Sequence, residues 1–168
     1  MAGQLIQVDT ETVTSAVASV TLTGIDSDDV YMLVFNNFVP ASGTQSPQMR
    51  VTESGIPNTT SNYDRAQKRL FANTGFLNSS GTNEDKFLGF AGTATGTGEN
   101  GNCIVYLYNF NNASEFSFCT WEGVASAGNT EGRQGGGVFT SASACDGVQL
   151  FAGVGNIASG TFTLYKVV

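Results

Sequence analysis

Hydrophobic positions alternate with polar ones along most of this chain, which is the period of strands with one buried face. The alternation is clearest between residues 145 and 168. Val148, Leu150, Ala152 and Val154 share one face of the run Val148–Val154. Phe162 and Leu164 share a face of the run Thr161–Val167, with Thr161, Thr163 and Tyr165 opposite. Gly155-Asn156-Ile157-Ala158-Ser159-Gly160 lies between the two as a turn-forming segment. The second run closes the sequence and is expected to be pinned inside a sheet.

The same reading predicts strands upstream at Gln4–Val8, Ala16–Thr23, Val30–Phe38, Gln48–Glu53, Lys86–Ala94, Asn102–Phe110 and Glu115–Ser126. In the last of these, Phe116 and Phe118 fall on one face and Cys119 and Trp121 on the other. Polar, Gly- or Pro-containing stretches punctuate them: Asp26-Ser27-Asp28-Asp29, Pro40–Pro47, Gly55–Asn62, Gly92–Gly101 and the glycine-rich Gly132–Thr140. Asn73–Asp85 reads as loop. Tyr63–Phe71, YDRAQKRLF, fits a short helix as well as a surface strand and holds Arg65, Lys68 and Arg69, three of the seven basic residues. About nine strands spaced by turns predict an all-β fold, an antiparallel sandwich or barrel in one domain over residues 1–168.

Composition narrows the classes of function. A chain of 168 residues can bury about 70% of its unfolded surface, so size demands neither disulfides nor metal. Charged residues are only 12%, beside 21 Gly and 12 Phe, which suits short strands and tight turns and argues against disorder. A net charge of −7 disfavours nucleic acid, whose phosphates need clustered Lys and Arg, and equally disfavours an anionic membrane. Low charge with many aromatics suggests some apolar surface reserved for other chains. Met1-Ala2-Gly3-Gln4 lacks the basic start of a secretory signal and no apolar run approaches the 20 or so residues of a membrane span, so a cytoplasmic product is expected.

Candidate chemistry is sparse. Histidine is absent, which excludes Ser-His-Asp and Cys-His sites and removes the commonest transition-metal ligand. Cys103, Cys119 and Cys145 lie sixteen and twenty-six residues apart, without a CxxC pair, and are expected to be reduced and buried. The carboxylates of Asp26, Asp28 and Asp29 could face a calcium ion, but the segment lacks the glycine and distal glutamate of a dedicated loop and reads better as a solvated turn. Glu115 and Glu122 lie near aromatics as in a sugar cleft, yet an odd spacing puts them on opposite faces of a strand. Trp121 is a candidate sugar-stacking platform, with core or interface the competing use. Gly96–Gly101 lacks the Lys-Ser/Thr ending of a phosphate loop. Asn58, Asn78 and Asn112 begin glycosylation-type triplets that, without a secretory signal, mark polar loops. No catalytic, cofactor-binding or metal-ligating residue and no cofactor is assigned.

Beside these readings stands a resemblance. Gly155-Asn156-Ile157-Ala158-Ser159-Gly160-Thr161-Phe162-Thr163-Leu164-Tyr165, preceded by Asp146-Gly147-Val148-Gln149-Leu150-Phe151, resembles a C-terminal signature of small β-rich structural proteins of tailed bacteriophages. Val105–Asn112 is similar to a central strand of that family, Tyr31–Phe38 to its first strong strand, and Gly135-Gly136-Gly137 to a glycine element before its last strands. The resemblance implies a jelly-roll-like sandwich, three-fold self-assembly and a strand over Tyr63–Phe71. It implies no catalytic residues. The function it implies is that of a virion structural protein, made in the bacterial cytoplasm. The expectation is a head-decoration or cement protein that binds the major capsid protein and stabilises the shell by mass action. The alternative is a receptor- or glycan-binding module of a tail fibre, marked by exposed aromatics in a loop. The absence of a shaft segment is expected to favour the shell.

Overall fold

The alternation becomes twelve strands and no helix in the computed structural model, which describes residues 3–168. In chain order they are β1 (Leu5–Val13), β2 (Ser19–Thr23), β3 (Tyr31–Pro40), β4 (Pro47–Glu53), β5 (Ile56–Pro57) and β6 (Tyr63–Phe71). There follow β7 (Gly75–Glu84), β8 (Gly101–Tyr108), β9 (Ser117–Ser126), β10 (Thr130–Phe139), β11 (Gly147–Ala152) and β12 (Ile157–Val167). One sheet has eight strands in the order β1-β12-β3-β8-β9-β10-β6-β7, and the other four, β2-β11-β4-β5. Every neighbouring pair is antiparallel. The sheets pack as a sandwich. Without β6, β7, β9 and β10, the orders β1-β12-β3-β8 and β2-β11-β4-β5 are compatible with an eight-stranded jelly roll.

The core lies between the inner faces. Leu33, Phe35, Val105, Leu107, Phe162 and Leu164 from the large sheet are fully buried, as are Met49, Val51, Val148 and Leu150 from the small one. Phe35 sits at its centre, its ring 6.2 Å from those of both Phe90 and Phe162. β12 runs between β1 and β3, so the last strand is an interior strand of its sheet. Its first residues, expected to be part of a turn, are shaped for this. Ile157 bridges to Val17 and is fully buried. Gly160 takes φ 147° where the register with β3 slips, and a Cβ there would press on the Phe162 ring and the Phe38 backbone.

Tyr63–Phe71, open between helix and strand in the sequence, is a strand throughout. Other segments differ from the sequence reading. Asn73–Asp85, expected to be a loop, contains β7, whose polar side chains carry no burial pattern because it is an edge held by backbone pairing to β6. The glycine-rich stretch is likewise strand, β10. Lys86–Ala94, expected to be a strand, is an irregular crossing. Gly89 at φ 104° breaks its extension, and only two isolated bridges, Phe87 to Met49 and Thr93 to Gln45, tie it to β4 and the segment before it. Its aromatics are apolar because they cap the inner face of the extra strands. Phe87 meets Tyr63 edge-on at 4.9 Å, and Phe90 meets Trp121 at 5.1 Å.

Candidate interaction face

Most of the polar groups singled out in the sequence are absorbed by structure. Cys103, Cys119 and Cys145 are free thiols in the core. Burial pushes all three thiols up, Cys145 to about 11, so none is poised as a thiolate. In the acidic turn the Tyr31 hydroxyl donates to Asp26 Oδ1 at 2.9 Å, and Lys166 Nζ stands 2.8 Å from Asp29 Oδ2. The Tyr31 hydrogen bond, and then the Lys166 charge, hold the Asp26 carboxyl below its usual range; the Lys166 bond does the same for Asp29. Asn112 Nδ2 donates to Asp28. A lysine ammonium therefore stands where a calcium ion would have to sit. Among the described residues no three or more Cys, Asp or Glu side chains converge for a metal.

The basic residues of β6 form no patch. Arg65 makes a forked pair with Glu84, with Nε and Nη2 at 2.7 and 3.0 Å from the carboxylate. Glu131 accepts from Arg69 Nε at 2.6 Å and from Arg133 Nε at 2.7 Å. Burial raises the Glu131 carboxyl, but these two arginines outweigh it and leave it below its ordinary value. Glu115 and Glu122 do not face each other. Asn109 Nδ2 donates to the first, in the loop before β9, and Gln134 Nε2 donates to the second at 2.7 Å. Trp121 is only 1% exposed, which removes it as a sugar platform. Asn58 and Asn112 accept from backbone amides two residues on and shape their own turns, whereas Asn78 is exposed on β7.

The feature that stands out is the outer face of the large sheet. In β8, Cys103, Val105 and Leu107 point into the core while Ile104, Tyr106 and Tyr108 point out. In β9, Cys119 and Trp121 point in while Phe118, Thr120, Glu122 and Val124 point out. Antiparallel register sets Ile104 beside Glu122, Tyr106 beside Thr120 and Tyr108 beside Phe118. Val34 of β3 lies beside Ile104 and Val138 of β10 beside Phe118, which extends the surface to both sides. Ile104, Tyr106, Phe116 and Phe118 are 40–43% exposed and Val124 is 50% exposed. A shallow depression of about 440 Å³, lined by Ile104, Tyr106, Thr120, Glu122 and Gln134, opens at the middle of this face.

Large side chains of roughly 150–250 Å² each, with 40–50% left exposed by their own chain, leave on the order of 400 Å² of apolar surface here. That is within the range of the largest apolar patch of an ordinary monomer, about 300–600 Å², a size that is often functional. The polar groups interspersed on it are few and mutually satisfied, such as the Glu122–Gln134 pair. The sequence held one signal of this face. Residues 103–108, CIVYLY, are apolar at every position, which in a strand means two apolar faces and not one. No family model matches the chain, and neither a curated protein nor a solved structure matches it.

Proposed function

We propose that this chain is a non-catalytic structural protein of a bacteriophage particle, a decoration or cement protein that docks on the outside of the head shell through the outer face of β8 and β9. The observation that carries this reading is the contiguous, half-exposed apolar face around Ile104, Tyr106, Phe118 and Val124, free of any convergent acid, base or nucleophile. A lasting contact needs about 1,000 Å² in total, or about 500 Å² from each partner. The apolar patch supplies most of that share, and the polar positions around it supply a rim. Binding only to the assembled shell would stabilise it by mass action. The net charge of −7 favours neutral or basic patches on the major capsid protein, with an association that weakens as salt is raised.

Quantitative protein staining of purified particles tests the reading. Hundreds of copies per particle are expected, together with loss of particle binding when Ile104→Lys or Phe118→Lys protein is added back to particles stripped of it. A few tens of copies, with loss of host adsorption on removal, would refute the cement role. The observation that favours that second role, a glycan-binding fibre module, is the depression in which Tyr106 offers an aromatic ring beside the hydrogen-bonded Glu122 and Gln134.

A further inference from the structure

Four strands end the two sheets, and three of them are ill-suited to accept another strand. β1 carries Asp9 and Glu11, and its register with β12 breaks between Gln7 and Asp9. β2 is five residues long, and the Asp9 carboxylate takes the amide of Thr23 at 2.9 Å. β5 is two residues long and ends in Pro57. Bulges, charges, shortness and proline are the usual means of blunting an edge. β7 has none of them over most of its length. It is ten residues long and pairs regularly with β6 from Gly75 to Gly81. Its single charged residue is the last, Glu84, already held by Arg65. Phe76 and Leu77, 67% and 55% exposed, project from opposite faces of this otherwise polar strand.

A row of unpaired backbone amides and carbonyls is matched by one kind of partner, another extended strand. We propose that β7 pairs antiparallel with β7 of a second copy about a two-fold axis, joining the large sheets of two molecules edge to edge. Charge selects the copy as the occupant. From Gly75 to Asn83 the strand carries no formal charge, so two of them meet without like-charge contact. With Ser79 on the axis, Leu77 of each copy lies across from Gly81 of the other, beside the Arg65-paired Glu84 carboxylate that folds over Gly81, and Phe76 lies across from Thr82. A two-fold contact is isologous and closes on itself, so the pairing ends at the dimer instead of growing into a fibre. It departs from the three-fold assembly that the phage resemblance implies, and it does not rest on the virion reading.

The test is sedimentation velocity across a dilution series, on wild type and on Ser80→Glu and Ser80→Lys. Ser80 is exposed, so both variants should keep the wild-type unfolding midpoint. Each alone should self-associate at least tenfold more weakly, because a two-fold axis brings two like charges together. An equimolar mixture should recover dimer as a heterodimer. Ile104→Lys, on the sheet face, should associate as wild type does. Backbone hydrogen exchange on wild type gives an independent reading: alternate amides between Phe76 and Ser80 should gain protection as concentration rises. A strict monomer at several hundred micromolar overturns the proposal. So does an assembly that ignores both Ser80 charges, one that Ile104→Lys dissolves, or exchange in β7 that does not change with concentration.

Discussion

Three consecutive glycines in β10 are expected to respond in opposite ways to the same substitution. Gly135 and Gly137 face the core and Gly136 faces out. A Cβ on Gly135 would meet the Trp121 ring, 2.6 Å from Cε2, and the Gln67 Cβ at 2.8 Å. One on Gly137 would meet the Phe87 ring at 2.6 Å and the Asp64 carbonyl at 3.0 Å. Real Cβ atoms do not approach that closely, so the rings must move, and neither ring is free to do so. Trp121 is wedged against Phe90 at 5.1 Å, and Phe87 against Tyr63 at 4.9 Å. On Gly136 the nearest atom would be the Cys119 carbonyl oxygen at 3.4 Å, an ordinary contact.

Gly135→Ala should therefore cost about 1–3 kcal/mol, the usual range for overpacking. For a chain of this length that lowers the unfolding midpoint by roughly 2–10 °C. Gly136→Ala removes unfolded-state freedom without strain and should be neutral or stabilising by up to about 1 kcal/mol. Scanning calorimetry on the two single variants, with near-ultraviolet circular dichroism to follow Trp121, measures both. If the two midpoints agree within a degree, or if Gly136→Ala is the worse variant, the account of rings lying flat on glycine backbone is wrong.

Other expectations follow from the core and the ion pairs. Denatured, unreduced protein should titrate three thiols per chain, and native protein should react far more slowly at pH 8 because burial suppresses the thiolates; a single thiol would reveal a disulfide. Ending the chain at Gly160 should abolish folding, since it removes most of β12, the strand paired with β1, and the burial of Phe162 and Leu164, each contributing about 1.5–3 kcal/mol; a soluble truncation with an unchanged midpoint would contradict the topology. Glu131 has a folded-state pKa below its ordinary 4.5, so its contribution is complete above that pH and is lost as acid protonates it through the lowered value. Glu131→Gln should accordingly lower the midpoint at pH 7, with the gap to wild type narrowing below pH 4; a gap independent of pH would mean the carboxylate charge is not what holds Arg69 and Arg133.

The legible parts of the fold were those where one face of a strand is buried and the other is wet. β12 announced itself through Phe162 and Leu164, and β9 through Cys119 and Trp121 set against Phe118. Where burial does not alternate, periodicity carries no information. β7 is stabilised by backbone pairing at an edge, so its residues GFLNSSGTNE show no pattern to read. In β10 the inward positions 135 and 137 are glycines because aromatic rings from elsewhere fill the space, and a scale that counts side chains sees only a turn. Lys86–Ala94 failed in the other direction, since Phe87 and Phe90 are apolar in order to cap the extra strands and not to build one. The apolar outer face was partly visible in Ile104 and Tyr106, but which apolar face of β8 packs inward depends on the whole topology.

The same division separates residues that build the architecture from those that shape its outer surfaces. Residues Asp146–Tyr165 act within the framework of β1 to β5, β8, β11 and β12. Gly147 allows three strands to close, because a Cβ there would overlap the Leu22 carbonyl and the Thr52 hydroxyl. The Asp146 carboxylate accepts from Thr52 Oγ1 at 2.7 Å and from the Gly55 amide at 2.8 Å, which fixes the turn after β4. Ile157 and Phe162 fill the core. None of them reaches the outer face of β8 and β9 or the free edge of β7. Those surfaces are supplied largely by the two hairpins added to the framework, β6–β7 and β9–β10, which widen one sheet to eight strands while the other keeps four. The added strands extend the core through Tyr63, Trp121 and Phe139, which pack with Phe87 and Phe90. Beyond that they contribute breadth: a wide face and a long unblunted edge, both suited to contact with other chains.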